Sequence, residues 1–164
     1  MISVTDILDY FTEPELLAWY LREGKAKCER ISQEALKIGT LVDGAIQQDV
    51  RMLGLGTSPL VMQNDPAYAS TENCWKAWQT FKINHPTFLS TITGVQTELT
   101  DGEVVGHPDL EITEKERWGI VDIKTSKAIQ PKHLTQVVAY SDLKGAAGGL
   151  DSHRFVAILR LDKL

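Results

Sequence analysis

Two acidic residues and a lysine stand where two neighbouring strands are expected to pair. Side chains of an extended strand alternate between its faces, so Asp122 and Lys124 emerge on the same side, about 6.6 to 6.8 Å apart along the strand. If residues 104–112 pair with residues 117–125 as a hairpin, Asp109 lies one strand away, about 4.8 Å in the hydrogen-bonding direction. The spacing therefore predicts that two carboxylates and one ammonium group converge.

This combination of groups suits the hydrolysis of a phosphodiester. Two carboxylates a few ångströms apart repel each other, and a hard divalent cation such as Mg²⁺, which prefers oxygen ligands, relieves that repulsion. The cation polarises a phosphoryl oxygen and lowers the pKa of the attacking water. The lysine ammonium stabilises the developing negative charge or positions the water. Asp109, Asp122 and Lys124 are therefore the predicted catalytic residues, and the two acids are the predicted metal ligands.

The same residues resemble the defining motif of the PD-(D/E)XK nuclease superfamily. The motif joins a Pro-Asp pair, here Pro108-Asp109, to an acid-X-Lys triplet, here Asp122-Ile123-Lys124. The resemblance implies an α/β fold in which a central four-stranded mixed β-sheet is flanked by helices, the restriction-endonuclease-like core. It also implies that Asp109 and Asp122 bind Mg²⁺ or Mn²⁺ together with the main-chain carbonyl of Ile123.

Residues that follow the lysine narrow the resemblance to the RecB-like and phage exonuclease branch of that superfamily. Thr125-Ser126 comes directly after the lysine, and Gln136 is followed four residues later by Tyr140. Residues at i and i+4 share one face of a helix. In the branch that it resembles, this pair lies beside the metal site and orients ligands or binds substrate, and the resemblance gives Thr125 and Ser126 a substrate-binding role. A plain amphipathic helix with Tyr140 in the core is the alternative.

A Gly-Thr pair in a predicted long helix, Gly39-Thr40, resembles the first motif of the same branch, in which Gly-Thr precedes a metal-binding His. The matching position here holds Asp43. A carboxylate is a hard ligand that suits Mg²⁺ or Mn²⁺, so Asp43 is predicted to complete the metal site. The alternative is that Asp43 is an exposed polar residue next to Gly44.

Glu98 is a further candidate metal ligand because of the strands that precede Asp109. Apolar and polar residues alternate towards the end of the segment 88–99, and Asp101-Gly102 is a strong hairpin signal. These strands and the motif strand are predicted to form an antiparallel three-stranded meander that brings Glu98 near Asp109. Members of the family that the sequence resembles often carry Glu or Gln at this place. An ordinary exposed glutamate is the alternative.

Hydrophobic periodicity and boundary residues predict the remaining elements. The predicted helices span residues 3–11, 13–22, 25–53, 65–83 and 133–144. The predicted strands span residues 88–99, 103–112, 117–125 and 154–161, and residues 54–64 form a loop. Trp75, Trp78 and Phe81 lie on related faces of their helix and are expected in the core rather than on a surface that stacks bases.

Length and composition are compatible with one domain over residues 1–164, with a helical N-terminal part at 1–85 and a sheet and catalytic core at 86–164. The two cysteines, Cys28 and Cys74, cannot form a four-thiolate iron–sulfur site and are expected in helix packing. The net charge of −5 argues mildly against a nucleic-acid partner, although bound divalent cations reverse the sign locally. The sequence has no apolar run of about 18 residues and no leader pattern, which predicts a soluble cytoplasmic protein without a membrane partner.

The resemblance implies a deoxyribonuclease that acts as an exonuclease at DNA ends, in recombination, repair or phage genome processing, inside a cell or a phage-infected host. DNA is the implied partner, and a recombination or helicase protein and a homo-oligomer that encloses DNA stay open. The chain stops shortly after residue 161, which predicts a minimal core without an attached helicase. The alternatives are a structure-specific endonuclease and a catalytically silent module that binds nucleic acid or a protein. The spacing does not separate DNA from RNA substrates.

Overall fold

The computed structural model describes residues 1–10, 14–52, 68–148 and 154–161 of the 164-residue chain. The helices are α1 (Val4–Asp9), α2 (Pro14–Glu23), α3 (Lys25–Arg51), α4 (Tyr68–Asn84), α5 (Phe88–Thr91) and α6 (Pro131–Gly148). The strands are β1 (Ile2–Ser3), β2 (Ile92–Val95), β3 (Leu99–Thr100), β4 (Val104–Gly106), β5 (Leu110–Glu114), β6 (Arg117–Lys124) and β7 (Arg154–Arg160). The predicted loop at 54–64 and the predicted helix start at Asp65 lie outside the described residues.

A four-stranded sheet in the order β2-β5-β6-β7 forms the centre of the described fold. β5 pairs antiparallel with β2 and with β6, whereas β6 pairs parallel with β7. The parallel pair needs a crossover, which α6 supplies between the two strands. The predicted α/β architecture, a mixed sheet flanked by helices, is therefore confirmed, and β6 with its acid-X-Lys triplet lies inside the sheet.

The two faces of β6 contact different cores, which follows from the alternation of its side chains. Val121 and Ile123 pack with residues of α3 and α4, as the sequence predicts. Trp118 and Ile120 face the other way and pack against α1 and α6. All residues between the two ends of β6 are buried. Asp122 follows Ile120 by two residues and therefore lies on the same face of β6. Its carboxylate is on the α6 side of the sheet and has no direct contact with bulk water.

The long third helix ends close to its predicted boundary, at Arg51 instead of residue 53. Its buried face carries apolar residues of the core that contains Val121 and Ile123. The two tryptophans of α4, Trp75 and Trp78, are buried in the same core. The cysteines are also buried on helices, Cys28 on α3 and Cys74 on α4. None of the helices that the structure describes is both long and apolar enough to cross a membrane.

The prediction of one continuous strand from 88 to 99 is wrong. Phe88–Thr91 forms a helical turn, because Ser90 Oγ and Thr91 Oγ1 donate hydrogen bonds to main-chain carbonyls three residues earlier, at 2.7 Å each. β2 follows, and the chain then turns at Gln96, whose φ of 53° lies in the left-handed region. β3 therefore belongs to a second sheet, in the order β1-β4-β3, and not to the central one.

The predicted strand from 103 to 112 is also divided, into β4 and β5. Pro108 lies in the gap, where a residue without a main-chain N–H cannot continue a ladder. The hairpin signal before β4 is confirmed: Asp101 Oδ1 accepts hydrogen bonds from the amides of Glu103 and Val104, at 2.9 and 2.8 Å, and Gly102 has a φ of 99°. The expected antiparallel order of three strands is kept by β2, β5 and β6, but it is not a simple meander, because the β3–β4 hairpin of the second sheet comes between β2 and β5.

The N-terminal part is not purely helical. β1 precedes α1 and pairs parallel with β4, where the sequence analysis predicted helix from Ser3. Ser3 instead caps α1, because its Oγ accepts a hydrogen bond of 2.9 Å from the amide of Asp6. β1 and α1 thus pack with the C-terminal half of the chain, so the division at residue 85 does not separate a helical part from a sheet part.

Candidate active site

The two predicted acids meet at the end of the β5–β6 hairpin. The register pairs Leu110 with Val121, which places Asp109 next to Asp122. Asp109 Oδ2 accepts a hydrogen bond of 2.6 Å from the main-chain N–H of Ile123. This bond locks the residue before β5 onto β6. The local hairpin is thus sufficient to bring the two carboxylates together, as the spacing predicts.

Lys124 reaches back to the second acid. Its Nζ lies 2.6 Å from Asp122 Oδ2, and the lysine side chain is 21% exposed while that of Asp122 is 3% exposed. The main chain at this point is fixed from the other edge, because Leu161 N–H donates a 2.8 Å hydrogen bond to Lys124 O. The ammonium group therefore stands between the buried carboxylate and a solvent-accessible cavity.

Asp43 comes to the same place from α3. Its Oδ2 accepts a 2.7 Å hydrogen bond from Gln47, one turn further along the helix. Its Oδ1 is buried and has no hydrogen-bond partner among the residues that the structure describes. A buried carboxylate oxygen without a partner is costly, so this atom is available for a ligand. Asp43 is therefore not the simple exposed polar residue that was the alternative prediction.

Burial raises the pKa of all three acids. The pKa of Asp109 rises to about 7, first because the carboxyl is buried and second because the charge of Asp122 lies next to it. Burial raises the pKa of Asp122 and of Asp43 as well, and the positive charge of Lys124 opposes the shift at each of the three carboxyls. One ammonium group thus faces three acids, and the site favours an additional cation or protons.

A cavity of about 640 Å³ opens in front of these groups. Asp43, Asp109, Ile123 and Lys124 line it, but the fully buried Asp122 does not. The cavity is also lined by the predicted substrate-binding pair Thr125 and Ser126, and by Lys132 and His133 of α6. A volume of this size is typical of pockets that hold small organic molecules, so the acids are accessible to a ligand of nucleotide dimensions.

Thr125 and Ser126 are held by short-range contacts at the cavity wall. Ser126 Oγ donates a 2.8 Å hydrogen bond to Ala128 O, which shapes the turn after β6. Thr125 packs against α3 at Gly39: a methyl group on that glycine would lie 3.6 Å from Thr125 Oγ1. The Gly-Thr pair of the sequence motif therefore adjoins the residues that follow the lysine.

Gln136 and Tyr140 contact each other, as their spacing predicts. Gln136 Nε2 donates a 2.8 Å hydrogen bond to the Tyr140 hydroxyl. Burial raises the pKa of Tyr140, and the charges of Asp122 and Asp109 add to this shift, so the hydroxyl lies within electrostatic reach of both acids. Neither residue is among the described residues that line the cavity. The pair therefore stands behind the acids, on the α6 side.

Tyr140 reaches this position because Gly106 has no side chain. A Cβ at Gly106 would lie 2.5 Å from Tyr140 Cε1, closer than real contacts allow. The glycine at the end of β4 thus lets α6 approach the sheet. This close approach is what brings the tyrosine hydroxyl towards the acids.

The predicted place of Glu98 beside Asp109 is taken by Gln96. Gln96 Nε2 donates a 2.8 Å hydrogen bond to Asp109 Oδ1, and its main-chain N–H donates to Asp109 O at 3.2 Å. Glu98 instead lies 3.6 Å from His107, with side-chain exposures of 61% and 48%. The cause is the turn at Gln96, which ends β2 and rotates the following residues out of register. The alternative, an exposed glutamate, describes Glu98.

A buried ion pair next to the acids was not predicted from the sequence. Glu111 is 3% exposed and pairs with Lys144 of α6. Gly94 makes room for it, since a methyl group there would lie 3.2 Å from the Glu111 carboxylate. Alternation along β5 places Glu111 on the same face as Asp109, so the sequence could have indicated the position of Glu111. Its partner Lys144 lies 33 residues away, and no sequence pattern indicates that contact.

The carboxylates suit a hard cation by their chemistry, but their arrangement is not a finished metal site. The described part of the chain contains no group of three or more His, Cys, Asp or Glu side chains placed to hold a metal ion. Both oxygens of Asp109 accept protein hydrogen bonds, and Lys124 occupies one oxygen of Asp122. Asp43 Oδ1, by contrast, is buried and has no described partner. A cation bound at Asp122 Oδ2 would need Lys124 to move away.

No protein-family model matches this sequence. A comparison with curated proteins finds no match either.

Proposed function

We propose that this protein is a divalent-metal-dependent nuclease that hydrolyses phosphodiester bonds in DNA. The observation that supports this proposal is the meeting of three acids, from α3, from the residue before β5 and from β6, around a single lysine on the wall of a nucleotide-sized cavity. A purely structural cluster has no need for three carboxylates with raised pKa values. An enzyme that binds cations and a polyanion does.

In this proposal the acids hold Mg²⁺ or Mn²⁺. Asp43 contributes Oδ1, its unpartnered oxygen, and Asp109 and Asp122 contribute carboxylate oxygens that keep lone pairs beyond their present contacts. The main-chain carbonyl of Ile123 is the fourth proposed ligand. When bound, the cation supplies Lewis-acid polarisation of the phosphoryl group and a lower pKa for water. Replacement of the ammonium at Asp122 by the cation also relieves the charge excess.

Lys124 then has its ammonium free for the substrate. From its place at the cavity wall it positions the attacking water and stabilises the negative charge that develops on the phosphoryl oxygens. Gln136 and Tyr140 orient the acids from behind through the Tyr140 hydroxyl. Thr125 and Ser126 contact the strand at the wall of the cavity.

Action at DNA ends is the finer part of the proposal. The resemblance to the RecB-like and phage exonuclease branch supports it.

The test is cleavage of end-labelled linear DNA beside closed circular DNA, with Mg²⁺, Mn²⁺ or EDTA. We expect progressive loss of the linear substrate only, dependent on the metal. The Asp122→Asn variant should lose about 100-fold or more of the rate, because the metal contributes several kcal/mol to stabilisation of the transition state and about 1.4 kcal/mol corresponds to a factor of ten. Asp142→Asn is the matched control, since Asp142 is an exposed acid bonded to Arg154.

Other outcomes decide between the alternatives. Cutting of the circular DNA indicates an endonuclease. Equal rates for the wild type and Asp122→Asn on DNA and on RNA, with and without metal, would contradict the catalytic proposal.

The second candidate function is a catalytically silent module that binds nucleic acid or a protein. It is favoured by the contacts that Asp109 and Asp122 already make within the protein, which leave Lys124 paired with Asp122. Such a module needs no cation. A specific rise of the melting temperature with Mg²⁺ or Mn²⁺ distinguishes the two candidates, since only a preformed metal site gives this rise.

A further inference from the structure

The cavity continues past the acids to the first turn of α6. This end carries groups that bind anions: Lys132 and His133 on the helix, and the hydroxyl of Thr125. α6 is 18 residues long, so its first turn carries the positive end of a full helix dipole. Pro131 has no main-chain N–H and that of His133 donates to Gln130 O at 3.0 Å, so side chains supply the donors at this end. A helix start of this kind attracts phosphate groups.

His133 gives this end a specific donor. The residue is 8% exposed, and its Nδ1 accepts a 3.2 Å hydrogen bond from the main-chain N–H of Gln130. A neutral imidazole that accepts at Nδ1 carries its proton on Nε2. Among the described residues no partner receives that Nε2–H, although His133 lines the cavity. A buried ring with one nitrogen tied to the main chain and the other unpartnered at a cavity wall is suited to bind a ligand acceptor.

The charges around His133 keep the ring neutral. Burial first, and then the positive charges of Lys124 and Lys132, lower its pKa to about 4. Lys124 therefore acts electrostatically on His133 as well as on the acids, which shows that the two ends of the cavity are close. Lys132 contacts Asp9 only at 4.0 Å, and both side chains are exposed, so this contact leaves its ammonium available.

We propose that the first turn of α6 is a phosphate-binding subsite, in which His133 Nε2–H and the Lys132 ammonium bind one phosphate group of the substrate strand. This phosphate is the neighbour of the one that is hydrolysed at the acids. The inference rests on the proposed nuclease function and adds to it that the strand is held through two consecutive phosphates. His133, Lys132 and this first turn together form the α6 phosphate subsite.

The first test uses cleavage kinetics with chemically altered DNA. A single neutral methylphosphonate replaces the phosphate on one or the other side of the cleaved bond. The wild type should show a KM about tenfold higher for one of these substrates, since a hydrogen bond to a charged group is lost, with little change in kcat. His133→Phe should show a similar rise with ordinary DNA and a clearly smaller further rise with the altered DNA than the wild type shows, because only the Lys132 contact is then left to lose.

Two variants control for simple loss of structure. His133→Gln keeps an N–H donor and an acceptor for the Gln130 amide, so it should restore most of the affinity. His85→Phe changes an exposed histidine that stacks on Phe81, and it should behave as the wild type. If the methylphosphonate raises the KM of His133→Phe as much as that of the wild type, the subsite proposal is overturned even though the enzyme is a nuclease.

A second test needs neither DNA nor metal. Inorganic phosphate is titrated into the full-length protein, and the ¹⁵N signals of the histidine side chains are followed by NMR, with His133 assigned by comparison with His133→Gln. A saturable shift at His133 Nε2 is expected. Absence of this shift overturns the subsite. If the shift is found while no metal or substrate gives cleavage, the nuclease proposal fails and phosphate binding at this turn stands.

Discussion

Two aspartates six residues apart on α3 stand in opposite electrostatic situations. Asp49 is 4% exposed, and its Oδ2 accepts hydrogen bonds from Trp78 Nε1 at 2.7 Å and from Lys82 Nζ at 2.6 Å. Lys82 also lies 6.0 and 5.7 Å from the ring centres of Trp75 and Trp78. One acid is matched by one cation and an indole N–H. This region joins α3 to α4, and every charge in it has a fixed partner.

Asp43 belongs to the other situation. It shares Lys124 with Asp109 and Asp122, and one of its oxygens is left without a described partner. The acids have raised pKa values because burial is not balanced by enough positive charge. Burial of an acid therefore does not decide whether its charge is compensated. What decides it is whether the folded chain itself supplies enough positive charge beside the carboxylate.

The largest effect on stability is expected at the compensated acid. Asp49→Ala leaves the Lys82 ammonium, in a side chain only 10% exposed, without its carboxylate. Breaking a buried pair costs about 3 to 5 kcal/mol, so the melting temperature should fall by about 6 to 20 °C for a chain of this size. Thermal unfolding followed by circular dichroism measures it. Asp43→Ala is the matched comparison on the same helix, and an equal loss there would break the contrast between the two regions.

Divalent cations should stabilise only the uncompensated region. At about 100 times the dissociation constant, a bound cation adds about 2.7 kcal/mol, which raises the melting temperature by about 5 to 10 °C. Asp43→Asn and Asp109→Asn should reduce this rise, whereas Asp142→Asn should keep it. Differential scanning calorimetry with Mg²⁺, Mn²⁺ and a matched concentration of Na⁺ gives the comparison. A rise that is unchanged in all three variants would place the cation elsewhere.

The pH dependence of stability should also identify the uncompensated acids. The pKa of Asp109 is about 7 in the folded protein against 3.8 as the ordinary value, so the folded state holds a proton that the unfolded state has lost. The stability from this group is complete below about pH 4 and is lost as the pH rises through about 7. In the presence of EDTA, the free energy of unfolding measured with urea should therefore fall more between about pH 5 and about pH 8 for the wild type than for Asp109→Asn. Equal losses would contradict the raised pKa.

The smallest effect is expected at Glu98. Its contact with His107 is exposed and 3.6 Å long, and exposed ion pairs contribute about 0 to 1 kcal/mol. Glu98→Gln should therefore leave the metal-dependent rate unchanged and the melting temperature within a few degrees. Gln96→Ala, which removes a hydrogen bond to Asp109, should lower the rate in the same assay. A large loss for Glu98→Gln would restore Glu98 as a metal ligand.

The parts of the site that sequence predicts are those made by local geometry. Alternation along β6 fixes the relation of Asp122 to Lys124, and the hairpin fixes Asp109 beside Asp122, because all three depend on a register within about fifteen residues. The helical spacing of Gln136 and Tyr140 is local in the same way, and their hydrogen bond follows from it. Fold class follows from the same alternation and from the helical periodicity before it.

The parts that sequence does not predict depend on contacts between distant segments. The proximity of Asp43 to Lys124 requires the packing of α3 on the sheet. The exchange of Glu98 for Gln96 depends on a left-handed residue that is not glycine, and no simple propensity selects glutamine for this conformation. His133 carries no motif: its place at the cavity becomes visible only when α6 crosses back over β6.

The parallel pairing of β6 with β7 forms late during synthesis, because the ribosome makes β6 first and β7 only after α6. β6, which carries Asp122 and Lys124, is synthesised before β7, which pairs with it from Trp118 to Lys124. Leu161 follows β7, and its main-chain N–H donates to Lys124 O. Until Leu161 has emerged, one edge of β6 has unpaired main-chain groups and is open to pairing with other nascent chains. A chain truncated within α6 would therefore lack the strand that covers this edge of β6 and would be prone to aggregation, and the complete site forms only after the last described strand has been made.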